Sequence, residues 1–215
     1  MNDHQLDTIL GNPGEQPTLP PAIRQLIENF LTNEEITQIC QQFRQSCIPN
    51  RQVLWSGMLR EFAQRWADRH GFQTLTTTMG PLMDTNNPEC PRRQKSLNAW
   101  SKYVHGASIL FAWHITEGDL VTVLSQPPPE RFHPTGRSYY QMLEEPIVIG
   151  RLGNRSVERI NVVHPTVAGA ENYTYQMWPY DCPFFWKELF GENRANVHWR
   201  EVRVGLLQDP NDLSV

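Results

Sequence analysis

Residues 96–124, SLNAWSKYVHGASILFAWHITEGDLVTVL, contain the transition that decides the fold. A helix is predicted over about 97–113, with Ser96 placed to cap its start. The apolar run LVTVL, residues 120–124, predicts a buried strand. The chain thus changes here from helical to strand-like character, and this order is typical of a helix-rich half packed on an α/β half.

The region before this transition is predicted to be helical. Residues 1–19 are polar and rich in Gly, Pro and Asn, and we expect them to form a flexible lead-in. Residues 20–115 are expected to form a helix-rich subdomain. Its earlier helical patterns cover residues 21–30, 32–46 and 57–70.

Residues 116–215 are expected to form an α/β subdomain with a small parallel sheet. Three strand-like runs follow the rigid loop QPPPERFHPTG, namely IVIGR, ERINVVH and VHWREVRV. A short helix near residues 183–190 is predicted between the last two runs.

Composition limits the function classes. The net charge of -4 over 215 residues argues against a nucleic-acid partner. We expect no membrane span, because no apolar stretch is long enough to cross a bilayer. The N-terminus lacks the pattern of a secretory signal, so a cytoplasmic protein, or one delivered into a target cell, is expected. Neither the histidines nor the cysteines have metal-ligand spacing, so no metal site is expected.

The stretch VLWSGM, residues 53–58, has two interpretations. Ser56 is a natural helix N-cap, and Gly57 would let an anion approach the free N–H groups of a helix start. Trp55 would then stand beside that anion. Alternatively, Trp55 packs on the first turn of the helix as a hydrophobic staple.

A pair of carboxylates occurs in SYYQMLEEPIVIG, residues 138–150. Pro146 is expected to hold Glu145 in an extended conformation, in which neighbouring side chains point to opposite faces. One carboxylate, Glu144 or Glu145, can then face a cleft. The alternative is that both are solvated, and Trp100 likewise has an alternative interpretation as a core residue.

Taken in order, these stretches resemble the ADP-ribosyl cyclase/NAD glycohydrolase family. The similarity extends over roughly residues 49–205 and is most specific over residues 49–83, with Trp55-Ser56-Gly57 and the later turn TLTTT. Trp100 resembles the second tryptophan of the family. Ser138, Tyr140 and Glu144 are similar in spacing to its serine, aromatic residue and catalytic glutamate.

The resemblance implies an ADP-ribosyl cyclase-like α/β fold with an active-site cleft between the two halves, and cleavage of NAD or NADP as substrate without any cofactor. It implies Glu144 as the catalytic residue and Trp55 and Trp100 as aromatic walls. Substrate-binding residues implied in the same way are Ser56, Gly57, Thr76, Ser138 and Tyr140. If the enzyme is a toxin, an inhibitor protein is an expected partner.

The chain also departs from the family pattern. Thr76 replaces an acidic residue associated with gripping nicotinamide and with the product balance, and Val104 occupies the position of an expected serine. Two other hypotheses therefore stay open. One is an inactive relative that binds NAD or ADP-ribose, and the other is an unrelated helical interaction domain whose tryptophans are all core residues.

Overall fold

The computed structural model describes residues 17–128 and 131–191. The helices in this part of the chain are α1 (Pro21–Ile27), α2 (Asn33–Ser46), α3 (Arg60–His70), α4 (Leu75–Met79), α5 (Leu97–Ile115), α6 (Glu145–Val148) and α7 (Phe184–Phe190). A π-helix covers Tyr140–Glu144, and 3-10 turns cover Gly80–Leu82 and Pro91–Gln94. The strands are β1 (Val53–Ser56), β2 (Leu120–Ser125), β3 (Arg159–Val163) and β4 (Thr174–Trp178).

The four strands form one mostly parallel sheet in the order β1-β2-β3-β4. β1, β2 and β3 are parallel, with Leu54 opposite Val123 and Val123 opposite Val162. β4 closes the sheet as an antiparallel edge strand. Val123 and Val162 are fully buried, as expected for central strands whose two faces are both covered. The fold is α/β, as the sequence predicts.

Helix α5 is the central helix of the core. Ser96 accepts a 3.2 Å hydrogen bond from the Ala99 N–H and so caps the helix as predicted. Nearly every residue from Tyr103 onward is buried, because α1, α2 and α6 all pack against this helix. A helix that is apolar on all sides is stabilised by burial, and the neighbouring helices pack against it.

Several predicted elements differ from the structure. The run IVIGR, predicted as a strand, forms α6 and a turn, whereas β4 is not predicted at all. Residues 1–16 of the lead-in and the predicted strand at 197–204 lie outside the described residues. Leu19, also assigned to the lead-in, is buried in the main hydrophobic core.

The predicted boundary at residues 115 and 116 separates β1 from the strands with which it pairs. β1 lies in the region expected to be helical, yet it hydrogen-bonds to β2 along its whole length. The sheet therefore extends across this boundary.

No helix within the described ranges is long and apolar enough to cross a membrane.

Candidate active site

A cavity of about 710 Å³ opens near the carboxyl end of β1. In parallel α/β sheets this edge is the usual location of ligand sites, and the volume is in the range of small-molecule pockets. The side chains and backbone around it come from β1, α3, α4, α5, the 133–139 loop and the π-helix. Its lining includes Trp55, Ser56, Thr76, Ser108, Arg137 and Glu144.

Glu144 reaches the cavity from the end of the π-helix. The Glu145 N–H donates to the Tyr140 carbonyl five residues earlier, and α6 follows at once with Pro146 in its first turn. A proline ring would clash with the carbonyl four residues before it in a regular α-helix, that of Met142. The wider π turn avoids this clash, and such turns often occur at functional sites.

Glu145 consequently has helical backbone angles, and the predicted extended conformation is wrong. Pro146 disfavours helical geometry at the preceding residue, but packing of α6 against α5 outweighs that local preference. Glu144 alone of the two carboxylates lines the cavity, since neighbouring residues of a helix point in different directions.

The Glu144 carboxyl group is almost completely buried. Its exposed fraction is 7%, and burial raises its pKa from the ordinary 4.5 to about 7. The Ser108 hydroxyl donates to Oε1 of Glu144 at 2.5 Å, a contact that favours the ionised form and lowers the pKa. Glu144 can therefore change its charge near neutral pH, which is typical of functional carboxylates.

The end of β1 forms one wall. Trp55 lines the cavity and also packs against a small hydrophobic cluster that includes Trp66 of α3. Gly57 has φ +72, and a Cβ there would lie 3.3 Å from the His133 backbone nitrogen. This close approach of two backbone segments, in a left-handed conformation, requires glycine.

Ser56 joins this wall to the 133–139 loop. Its Oγ lies 2.8 Å from the Ser138 Oγ and accepts a 3.2 Å hydrogen bond from the His133 N–H. The prediction that Ser56 caps a helix is wrong, because α3 begins at Arg60 with Leu59 in the capping position. The strand pairing of β1 continues to Ser56 and delays the helix start.

Thr76 lines the cavity from α4. Thr74 caps this helix by accepting a hydrogen bond from the Thr77 N–H. The Thr77 hydroxyl is engaged with Gln64. Thr76 contributes a neutral side chain to the cavity, and Thr77 is not among the residues that line it.

Two residues expected at the substrate lie elsewhere. Trp100 stacks on Tyr103, with ring centroids 5.4 Å apart, and the Arg92 guanidinium lies over its ring. Trp100 is not among the residues that line the cavity, and its partly buried side chain packs against the main hydrophobic core. The assignment of Trp100 to a cavity wall is thus corrected, and its core interpretation is the better one.

Tyr140 is also absent from the cavity wall. Its side chain is fully buried against Phe132, with ring centroids 5.2 Å apart. Tyr139 lines the cavity instead. The correction is a shift of one residue, because the helical start of this segment turns adjacent side chains away from each other.

Sequence reasoning missed several polar residues of the cavity, among them Arg60, Ser108, His133, Thr135 and Arg137. Arg137 precedes Ser138 directly, so its proximity could have been read from the same motif. Ser108 is two helical turns after Trp100, whereas the family pattern directs attention one turn after it, to Val104. The position of Arg60 at the cavity was not apparent, because the predicted helix begins at Gly57, whereas α3 begins at Arg60 itself.

Comparison with protein-family models, characterised proteins and solved structures found no match to this chain. Within residues 17–128 and 131–191, no group of three or more His, Cys, Asp or Glu side chains could hold a metal ion.

Proposed function

We propose that this chain is an NAD(+) nucleosidase, which cleaves the nicotinamide–ribosyl bond of NAD to give nicotinamide and ADP-ribose. The observation that carries the proposal is the single buried carboxyl group of Glu144 in a cavity that also contains Trp55, Ser56 and Thr76. The resemblance to the ADP-ribosyl cyclase family supports the same reaction.

The chemistry needs one carboxylate. Nicotinamide is cationic in NAD, so the C–N electron pair leaves with the ring as a neutral molecule and no general acid is required. The ribose becomes an oxocarbenium-like cation, which an ionised Glu144 stabilises electrostatically. Water then adds to the ribose carbon and releases a proton, giving ADP-ribose, or the adenine ring attacks the same carbon to give cyclic ADP-ribose.

Aromatic side chains in the cavity suit the leaving ring. Trp55 presents an aromatic surface to a flat cationic group, and such contacts contribute about 0.5–2 kcal/mol. Tyr139 contributes a second aromatic side chain in the place expected for Tyr140. The Thr76 hydroxyl can hydrogen-bond the nicotinamide amide without a charge.

Two arginines suit the diphosphate. Arg60 and Arg137 both line the cavity while keeping exposed side chains, which is the usual setting for residues that receive a charged group from water. Guanidinium groups bind phosphate oxygens by paired hydrogen bonds. The buried carboxylate suits the cationic nicotinamide end of NAD, and the exposed arginines suit the anionic diphosphate in its middle.

The test is a product assay on NAD with two matched variants. The wild-type protein is expected to release nicotinamide and ADP-ribose, separated by chromatography. Glu144→Gln is expected to lose at least ~100-fold in rate, since a preorganised charge at the transition state is worth that much. Glu145→Gln removes the neighbouring carboxylate outside the cavity and is expected to keep activity. A folded wild-type protein without turnover, or equal losses in both variants, contradicts the proposal.

A second candidate is a module that binds NAD or ADP-ribose without turnover. The neutral Thr76 at the position of an acidic family residue favours it. Calorimetry with NAD distinguishes the two functions, because tight binding without nicotinamide release supports the module and rapid release excludes it.

A further inference from the structure

Among the described residues, Ser108 is the one whose side chain donates a hydrogen bond to the Glu144 carboxyl group. Its exposed fraction is 4%, and its hydroxyl lies 2.5 Å from Oε1 of Glu144. The two residues are 36 positions apart and come from different elements, α5 and the π-helix. Both also line the cavity. The contact therefore joins the central helix to the carboxylate at the ligand site.

The direction of this hydroxyl is informative. A serine inside a helix commonly donates to the backbone carbonyl one turn earlier, and this bond satisfies it locally. Ser108 instead donates across to Oε1, although α5 begins at Leu97 and so supplies backbone carbonyls one turn before it. With Oε1 occupied, Oε2 is the carboxylate oxygen available to a ligand.

We infer that Ser108 is a positioning residue, which fixes the Glu144 carboxylate through Oε1 and so directs Oε2 at the reacting ribose. The inference rests on the proposed function for the identity of the ligand. Ser108 acts through Glu144 and is not itself assigned a contact with substrate. Removing the hydroxyl frees the carboxylate to rotate and takes away a donor to its ionised form.

The electrostatic setting allows this role to be measured by titration. The other ionisable groups at the cavity are His133, Arg137 and Tyr139 from the loop and the π-helix entry, and Arg60 from α3; α4 contributes only neutral residues to it. Tyr140 and Glu145 flank Glu144 on its own segment. Burial raises the Glu144 pKa and the Ser108 bond opposes this rise. Loss of the bond therefore raises the pKa further, because a donor to the charged form is gone.

The experiment compares Ser108→Ala and Ser108→Cys, which lose a good donor, with Ser108→Thr, which keeps a hydroxyl. Thr116→Val is the matched control, since it removes another buried hydroxyl at the end of the same helix. For each protein, kcat/KM for NAD is measured against pH. The Glu144 pKa is measured separately by NMR on 13C-glutamate-labelled protein, with Glu144→Gln to assign the signal.

The Ala and Cys variants are expected to move the acidic limb of the kcat/KM profile, and the NMR pKa, upward by about one pH unit, the effect of one charge-assisted hydrogen bond. Ser108→Thr is expected to restore the wild-type profile and Thr116→Val to leave it unmoved. A uniform loss of kcat/KM at every pH, with an unmoved NMR titration, overturns the inference. If the wild type does not cleave NAD, the proposed function fails, while a shifted NMR titration still supports the Ser108 contact.

Discussion

Replacement of Glu144 by glutamine is expected to stabilise the fold, and to do so increasingly as the pH rises. In the folded protein the Glu144 pKa is about 7, whereas the ordinary carboxyl value is 4.5. Between these pH values the unfolded chain has lost its proton and the folded chain retains it. Because the folded state binds more protons there, stability of the wild type falls as the pH increases through this window.

The magnitude follows from the two pKa values. Each pH unit of difference corresponds to ~1.4 kcal/mol, so ionisation of Glu144 costs the folded protein about 3 kcal/mol by about pH 8. Glutamine has nearly the same shape and its carbonyl oxygen can accept the Ser108 hydrogen bond, yet it does not ionise. The variant therefore avoids this cost.

The assay is urea unfolding of both proteins at several pH values between about 4 and 8. The difference in unfolding free energy is expected to be small near pH 4 and to grow to about 3 kcal/mol in favour of Glu144→Gln near pH 8. Glu158→Gln, at an exposed position of the same chain, controls for removal of one negative charge. A difference that does not change with pH refutes the burial of an ionisable carboxylate at this site.

Three further substitutions test the geometry of the cavity. Gly57→Ala is expected to cost about 1–2 kcal/mol of stability for its left-handed backbone, plus more for the contact with His133; Gly136→Ala, which has a similar φ and open space, is the matched control in unfolding experiments. Arg137→Ala is expected to raise KM for NAD about tenfold, with little change in KM for nicotinamide riboside, which lacks the diphosphate; equal effects on both substrates contradict a phosphate contact. Tyr140→Phe is expected to keep full activity. Its unfolding free energy is expected to equal that of the wild type or to be up to ~1 kcal/mol higher, because the buried Tyr140 hydroxyl has no hydrogen-bond partner among the described residues. A large drop in kcat contradicts the placement of Tyr140 outside the cavity.

The long elements of the fold were predictable because one physical signal dominates each of them. The predicted helix at 97–113 differs from α5 by two residues at its end, and the predicted strand LVTVL lies within β2. The Ser96 cap and the long apolar pattern favour the helix that packing also favours in α5. The short β-branched run favours the buried strand that forms in β2. Where local preference and packing agree, sequence reasoning is reliable.

The short elements were not predictable on the same basis. IVIGR is apolar and β-branched, so local preference favours a strand, but it follows a π-helix and packs against α5 as α6. An apolar run this short fits either state, and only the packing decides. β1 was similarly hidden, because four residues that end in serine and are followed by Gly57 resemble the approach to a helix.

The candidate site was predictable only in part. Glu144, Trp55 and Thr76 were found through their order along the chain, and the structure brings them to one cavity. Ser108 was missed because a lone serine in an apolar helix has no pattern of its own, and Arg137 was missed although it directly precedes Ser138 in the same motif. Their importance comes from the three-dimensional packing of α5 and the 133–139 loop around Glu144.

The most direct test of the central claim is the initial rate of nicotinamide release from saturating NAD, measured for wild-type protein and Glu144→Gln at about pH 8, where Glu144 is ionised. Both proteins are first shown to be folded by their urea unfolding curves. The wild type is expected to release nicotinamide steadily, and the variant is expected to release it at least ~100-fold more slowly, although the variant is the more stable protein. Equal rates from the two folded proteins, or no release from either, contradict the central claim.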